Sequence, residues 1–112
     1  MIEQSGPLSK ANHEAITTPQ MLDTETKPGH SALTYGYGWV ISEYRGEKIV
    51  WHTGGLDGFN SYAVFLPERK WNAVFLTNTS PTGAVVNGKL VYQLIDDLLD
   101  IQAEKKIDWE AL

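Results

Sequence analysis

The amino-acid sequence predicts an α+β fold: an antiparallel meander of about four strands, with a C-terminal helix and a short N-terminal helix on one face. Two observations carry this prediction. From Tyr35 onward, short runs of aromatic and β-branched residues are separated by turns that contain glycine, proline or charged residues. After the last run, apolar residues recur at spacings of three and four, which is typical of an amphipathic helix. The chain has 112 residues, 42% of them hydrophobic, which suits one globular domain at most.

Residues 1–34 are mixed and polar, and they predict one short helix followed by a loop. Ser9 is a favourable N-cap for a helix that runs to Ile16. Any longer element is interrupted by Pro7, Pro19 and Pro28. Residues 35–112 hold the predicted sheet and the C-terminal helix, so we expect a single partial domain made of these two parts.

Four segments have the composition of strands, and short turns join them. The predicted strands are 35–44, 47–52, 61–66 and 71–77. Arg45-Gly46 forms the first turn, and Pro67 with three charged residues after it forms the last. The third and fourth strands are apolar at nearly every position, as in sheets that are covered on both faces. The two predicted helices can cover only one face of the sheet. We therefore expect this chain to be an incomplete part of a larger sheet domain.

The C-terminal helix is predicted from one apolar stripe. The stripe consists of Val91, Leu94, Ile95, Leu98 and Ile101. Asp96, Asp97 and Asp100 are assigned to the solvated side of the helix as ordinary surface charge.

Composition narrows the possible partners. The formal net charge is -5 and the pI is near 5.0, so no basic surface is available for nucleic acid or for acidic membranes. No apolar run reaches the roughly 18 residues of a membrane-spanning helix, and no signal-like start is visible. The sequence has no cysteine, which excludes disulfides and a cysteine nucleophile but leaves the compartment open.

Most signatures of catalysis or cofactor binding are absent. Neither a G-x-S-x-G elbow nor an S-x-x-K motif occurs. Gly36 and Gly38 give only G-x-G before a strand, which argues against a nucleotide site. A metal site made of His30, His52 and Asp57 has too few ligands, too widely scattered. We therefore predict no metal and no cofactor.

One cluster does suggest chemistry: His52-Thr53 at the predicted end of a strand, followed by three glycines within the next five positions. Glycines let a backbone lie close to a bound group with its N–H exposed. An imidazole, a hydroxyl and a bare amide together suit the binding and polarising of a carbonyl. The alternative interpretation is a tight glycine-rich hairpin with an exposed histidine.

Five short motifs in order give the cluster a family resemblance. They are Tyr35-Gly-Tyr-Gly-Trp39, His52-Thr-Gly-Gly55, Gly58-Phe-Asn-Ser-Tyr62, Phe65-Leu-Pro-Glu68 and Val74-Phe-Leu-Thr-Asn78. In this order they resemble the C-terminal part of the serine β-lactamase and penicillin-binding-protein superfamily, over about residues 35–100. The branch they resemble is the class C-like one, which holds esterases, D-aminopeptidases and β-lactamase homologues.

The resemblance implies roles for four consecutive residues. His52 takes the position of the K-T-G lysine and orients substrate near the nucleophile, and the N–H of Gly55 is one of two oxyanion-hole donors. Thr53 hydrogen-bonds a polar group of the substrate, and Gly54 lets the substrate approach the strand. An imidazole is mostly neutral at pH 7, which favours esterase or amidase chemistry over a dedicated β-lactamase.

The resemblance also implies what is missing. The family's S-x-x-K and Tyr-x-Asn or Ser-x-Asn motifs do not occur in these 112 residues. We therefore expect the C-terminal section of a serine hydrolase, inactive alone, whose open sheet face is covered by the N-terminal part of the same enzyme or by a second chain. The substrate of the complete enzyme would be a small acyl compound. The alternative is a non-catalytic module that self-associates as a homo-oligomer or binds a partner.

Overall fold

The computed structural model describes residues 6–100, and this part of the chain contains six β-strands and two α-helices. The helices are α1, Lys10–Ile16, and α2, Thr82–Leu98. The strands are β1, Met21–Leu22; β2, Thr34–Tyr35; β3, Val40–Tyr44; β4, Glu47–Leu56; β5, Phe59–Leu66; and β6, Trp71–Thr77. A single 3-10 turn, Pro67–Arg69, joins β5 to β6.

The strands form one sheet in chain order, β1-β2-β3-β4-β5-β6, and the pairs from β1 to β4 are antiparallel. The predicted α+β fold with an antiparallel meander is therefore confirmed. The sheet has two strands more than expected. One is β1, which lies in the segment predicted to be a loop. The other arises because residues 36–39 turn away and divide the predicted first strand, and in this turn the Gly36 N–H donates to the Trp39 carbonyl at 2.8 Å. This turn leaves Tyr35 in β2 and starts β3 at Val40.

Helix α1 and the first hairpin follow their local sequence. The Ser9 hydroxyl accepts the Asn12 N–H at 3.2 Å, so the predicted N-cap is confirmed. Arg45 and Gly46 have φ values of 54° and 82°, and positive φ at both central residues is the geometry of a type I′ hairpin turn. Tyr44 pairs with Glu47 directly beside this turn, which fixes the register of β3 and β4.

The described chain divides into two compact units. One holds the chain up to His52 together with Val64–Asn72, and the other holds Thr53–Ala63 together with the chain from Ala73. Strands β4 and β5 each contribute residues to both units.

The first unit has an apolar core and an aromatic cluster. The core consists of Ile41, Val50 and Phe65, with the Trp39 ring packed edge-on against Phe65 at 5.3 Å between ring centroids. The aromatic cluster places His30 between Tyr44 and Trp51, at 5.0 and 5.1 Å between ring centroids. Both tryptophans are therefore packing residues.

The second unit is organised around α2, whose buried face differs from the predicted one. Val91 and Ile95 are fully buried, but Leu94 and Leu98 are 45% and 38% exposed. Asp96 is 1% exposed, so its assignment to the solvated side was wrong. Two contacts with residues outside the helix orient it: Gly83 lies against the Thr77 hydroxyl, and the Tyr62 and Tyr92 hydroxyls are 3.3 Å apart. Ile101 lies outside the described residues.

Strand β6 has one exposed face. Its residues alternate between half-buried and exposed, and Val74 and Leu76 are 55% and 75% exposed. Within residues 6–100, the continuous apolar composition of β6 therefore does not correspond to cover on both faces. Within residues 6–100, no helix has the length and apolar character needed to cross a membrane.

Candidate active site

The His-Thr-Gly-Gly motif lies within strand β4. The strand was predicted to end at His52, but it continues to Leu56, and Asp57-Gly58 makes the turn into β5. The backbone of all four motif residues is therefore extended and paired in a sheet. The tight turn of the alternative interpretation exists, but it begins after the motif.

Burial changes abruptly along β4 at the motif. Ile49 and Val50 are 0% exposed and Trp51 is 3% exposed, whereas every residue from His52 to Leu56 is exposed. The buried residues and His52 belong to the first unit, so His52 is presented from a backbone that the buried residues hold in place. Functional groups on a rigid strand are positioned more accurately than groups on a loop.

His52 is exposed and makes one side-chain contact that the sequence did not predict. Its Nε2 is 3.1 Å from the Tyr35 Oη, and the two rings meet edge-on at 6.3 Å between centroids. Tyr35 is 17 residues away in the sequence, and no spacing rule points to such a pair. The contact adds Tyr35 to the candidate site.

Thr53, Gly54 and Gly55 belong to the second unit, and all three are exposed. A methyl group added at Gly54 would lie 2.6 Å from Ser61 Oγ, and one added at Gly55 would lie 3.6 Å from Asn60 Oδ1. The Asn60 side chain in turn donates to the Thr79 carbonyl at 2.6 Å. Gly54 is thus required by a close approach within the protein, from the Ser61 hydroxyl on β5.

The three residues of the rejected metal site have different surroundings. His30 lies in the aromatic cluster, where burial and then the neighbouring Lys27 charge lower its pKa to about 4. His52 contacts Tyr35, and Asp57 lies in the β4–β5 turn. Among residues 6–100, no group of three or more histidine, cysteine, aspartate or glutamate side chains could hold a metal ion.

A groove of about 320 Å³ also lies in the first unit. Its lining includes Ser31, Thr34, Ser42 and Lys48. The Ser31 and Ser42 hydroxyls are 3.2 Å apart, and Thr34 donates to the Ile41 carbonyl at 2.7 Å. None of the predicted site residues lines this groove, so it does not add to the candidate site.

Comparison with known proteins decides the family. The family model described as Beta-lactamase matches residues 1–95. The chain belongs to the beta-lactamase family. The resemblance carried by the five motifs is therefore confirmed, and the family match covers the segment before Tyr35 as well.

Two curated fungal relatives of this family are hydrolases by name. Unguisins hydrolase ungD′ of Aspergillus campestris is 33% identical over 102 residues, which is 91% of this chain and 19% of the relative. Unguisins hydrolase ungD of Aspergillus violaceofuscus is 36% identical over 93 residues, which is 83% of this chain and 16% of the relative. The chain thus spans less than a fifth of the length of these relatives. No solved structure matches it significantly.

Membership in this family of beta-lactamase-like hydrolases gives the geometry a chemical context. An exposed strand that carries an imidazole, a hydroxyl and two consecutive glycines can hold a carbonyl compound through side-chain and backbone donors. The roles of His52, Thr53, Gly54 and Gly55 remain predictions from the motif.

Proposed function

We propose that this chain is the C-terminal section of a serine hydrolase that cleaves an ester, amide or lactam through an acyl-enzyme. The observation that carries the proposal is the exposed half of β4, which bears the His-Thr-Gly-Gly motif on a strand anchored by buried residues, in a member of the beta-lactamase family. The chain alone has no S-x-x-K motif. We therefore expect it to be inactive until the nucleophile is supplied from elsewhere in the hydrolase.

In the proposed reaction, a serine Oγ attacks the substrate carbonyl carbon and the carbonyl oxygen becomes an oxyanion. The leaving group departs with a proton, and water then attacks the acyl-enzyme to release the acid and the free serine. The exposed half of β4 forms one wall of this site. The Gly55 N–H donates to the oxyanion, an interaction worth about 3 to 4 kcal/mol in related acyl transfer, while His52 and Thr53 orient the substrate.

The uncovered apolar surface supports the proposal that the rest of the hydrolase packs on this chain. In the second unit, Leu56, Phe59 and Leu76 are 79%, 60% and 75% exposed. Strand β6 is also an edge of the sheet, seven residues long and without a charged side chain. Natural proteins protect such edges, since they pair readily with other chains. We propose that the cover is the remainder of the same enzyme.

The names of the relatives suggest the first substrate to test. Both are named as hydrolases of unguisins, and the chain covers only their matching segment. We propose that an unguisin, alongside a simple ester, is the most informative substrate for the complete hydrolase.

A second candidate function is a non-catalytic module that self-associates. The observation that favours it is an exposed apolar row on α2, formed by Val86, Leu90, Leu94 and Leu98 at intervals of four residues. Light scattering of the purified chain distinguishes the two functions, because a single stable homo-oligomer without any partner is expected only of the module.

The function is tested first on the isolated chain. We expect no hydrolysis of a p-nitrophenyl ester or of a chromogenic β-lactam, after mass spectrometry has verified that no second polypeptide is present. Turnover that persists through repurification would contradict the proposed one-wall site, because these residues would then contain an unrecognised nucleophile.

The decisive test replaces the matching segment of an unguisins hydrolase with this chain and measures ester and unguisin hydrolysis. We expect the chimera to be active and His52→Ala to lower turnover by about 10- to 100-fold with an unchanged melting temperature, as for a group that contacts substrate. His13→Ala on α1 is the matched histidine control and should have no effect. Equal turnover of His52→Ala and its parent would remove His52 from the site.

A further inference from the structure

The hydrogen bond between Tyr35 and His52 is the starting point. The Tyr35 Oη lies 3.1 Å from His52 Nε2, which is within hydrogen-bonding range for these two groups. Within residues 6–100, the His52 side chain makes no other hydrogen bond. The phenol thus engages one ring nitrogen and leaves Nδ1 available.

The backbone on the tyrosine side is held on several sides. Tyr35 pairs with Met21 of β1 and with Val40 of β3, and its carbonyl accepts the Gln20 N–H at 2.9 Å. The next residue, Gly36, lies so close to α1 that an added methyl group would be 2.5 Å from the Ile16 carbonyl oxygen. The Tyr35 phenol is therefore attached to a backbone that is fixed in position.

The backbone on the histidine side is equally fixed. His52 directly follows Val50 and Trp51, which are 0% and 3% exposed. A hydrogen bond between two side chains on fixed backbones restricts the imidazole to a narrow range of ring orientations. It also restricts the tautomer of the imidazole. The hydrogen bond made by one ring nitrogen decides which of the two nitrogens carries the proton.

We propose that Tyr35 is a positioning residue for His52: its hydroxyl donates to Nε2, so the neutral imidazole carries its proton on Nδ1. His52 then presents an N–H donor from Nδ1 toward a bound acyl substrate. The tyrosine does not touch the substrate and acts only through the histidine. This inference rests on the proposed function, since it assigns a task to His52 within that site.

The direction of the hydrogen bond follows from the task that the proposed function gives to His52. A phenol has one O–H to donate, and a neutral imidazole has one nitrogen that accepts and one that donates. If the phenol donates to Nε2, the proton of the imidazole must be on Nδ1. The reverse arrangement places the proton on Nε2 and leaves Nδ1 as an acceptor, which could not bind a carbonyl oxygen.

The local part of the proposal is tested on the 112-residue chain by two-bond proton–nitrogen NMR of the histidine rings, above the pH at which the imidazole becomes neutral. Tyr35→Phe keeps the ring and removes the hydroxyl. We expect the parent to show His52 with its proton on Nδ1 and Tyr35→Phe to move the proton toward Nε2. Tyr37→Phe is the matched control, because Tyr37 is 65% exposed and lies two residues away in the same segment. An unchanged tautomer in Tyr35→Phe would overturn the proposal.

The catalytic part is tested in the hydrolase chimera. We expect Tyr35→Phe to lower kcat by about threefold to tenfold, the effect of one neutral hydrogen bond, with KM unchanged. Tyr37→Phe should match the parent. A shifted tautomer with unchanged kcat would overturn the positioning role while leaving the proposed function intact, provided that His52→Ala is still impaired. Full activity of His52→Ala would instead overturn the proposed function, and with it the task assigned to Tyr35.

Discussion

The two halves of strand β4 have opposite surroundings although they form one continuous strand. Ile49, Val50 and Trp51 are at most 3% exposed, whereas the five residues from His52 to Leu56 are all exposed. The buried half is apolar and aromatic, and the exposed half carries an imidazole, a hydroxyl and two glycines. The first half has the composition of a core strand, and the second that of a ligand-binding wall.

This difference separates stability from chemistry along a single element. Burial of large apolar side chains stabilises the fold, and exposed polar groups add little to it. Substitutions in the buried half should therefore lower the free energy of unfolding. Substitutions in the exposed half should change activity in the complete hydrolase and leave folding almost unaffected, except where a residue is closely packed against a neighbour, as Gly54 is.

The largest expected effect is from Ile49→Ala, which removes a fully buried side chain from the first half. We expect a loss of about 3 kcal/mol in the free energy of unfolding, from lost burial and the cavity left behind. Urea unfolding of the 112-residue chain measures it.

Leu56→Ala is the control on the same strand, since Leu56 is 79% exposed, and it should change stability by less than about 0.5 kcal/mol. Equal losses for Ile49→Ala and Leu56→Ala would show that the exposed half is covered in solution. That result would favour the self-associating module.

The next largest effect is a pH dependence of the free energy of unfolding. It concerns the buried half of β4, because His30 packs on Trp51 at 5.1 Å between ring centroids. Burial, and then the charge of Lys27, lower the pKa of His30 from 6.5 to about 4. Between these pH values the unfolded chain binds the proton and the folded chain does not. The contribution of His30 to the free energy of unfolding is therefore present above pH 6.5 and is lost as the pH falls toward 4. We expect this loss to be about 2 kcal/mol after solvent screening.

Comparison of three chains isolates this contribution. His30→Phe keeps an aromatic ring but cannot bind a proton, so its stability should fall less between pH 6.5 and 4 than that of the parent. Leu56→Ala, in the exposed half, should keep the slope of the parent. If His30→Phe and the parent lost stability equally over this range, His30 would not be the responsible group.

Most of the fold was predictable because its signals are local. Runs of β-branched and aromatic residues between turns predicted the meander, and Ser9 predicted the start of α1. Strand β1 was missed and β2 was merged with β3 into one predicted strand, since two residues carry no recognisable period. The buried face of α2 was misassigned in part, because a contact distant in sequence, Tyr62 with Tyr92, helps to select between two adjacent apolar rows.

The candidate site was predictable only as a motif. His52-Thr-Gly-Gly55 stands out in the sequence and in its ordered neighbours. Tyr35 could not be assigned to it, because the turn at residues 36–39 and the pairing of β2 bring the phenol to the histidine. Ser61 was missed for a similar reason, since its approach to Gly54 depends on the β4–β5 register.

The smallest effect tests whether exposure alone makes the second half tolerant of substitution. Gly54 is exposed, yet an added methyl group would lie 2.6 Å from Ser61 Oγ. We expect Gly54→Ala to lower the free energy of unfolding by about 1 kcal/mol, because Ser61 must change its rotamer or the strands must separate slightly.

A double-mutant cycle with Ser61→Ala decides the cause. Removing the hydroxyl opens the space beside Gly54, so Gly54→Ala should cost almost nothing in the Ser61→Ala background, which urea unfolding of the four chains measures. An undiminished cost would place the cause in the backbone of β4 instead of in the Ser61 contact. A smaller loss of stability in the Ser61→Ala background would mean that Ser61 on β5 limits the side chain that position 54 can hold. Gly54 would then be needed for the packing of the β4–β5 hairpin, independently of any substrate.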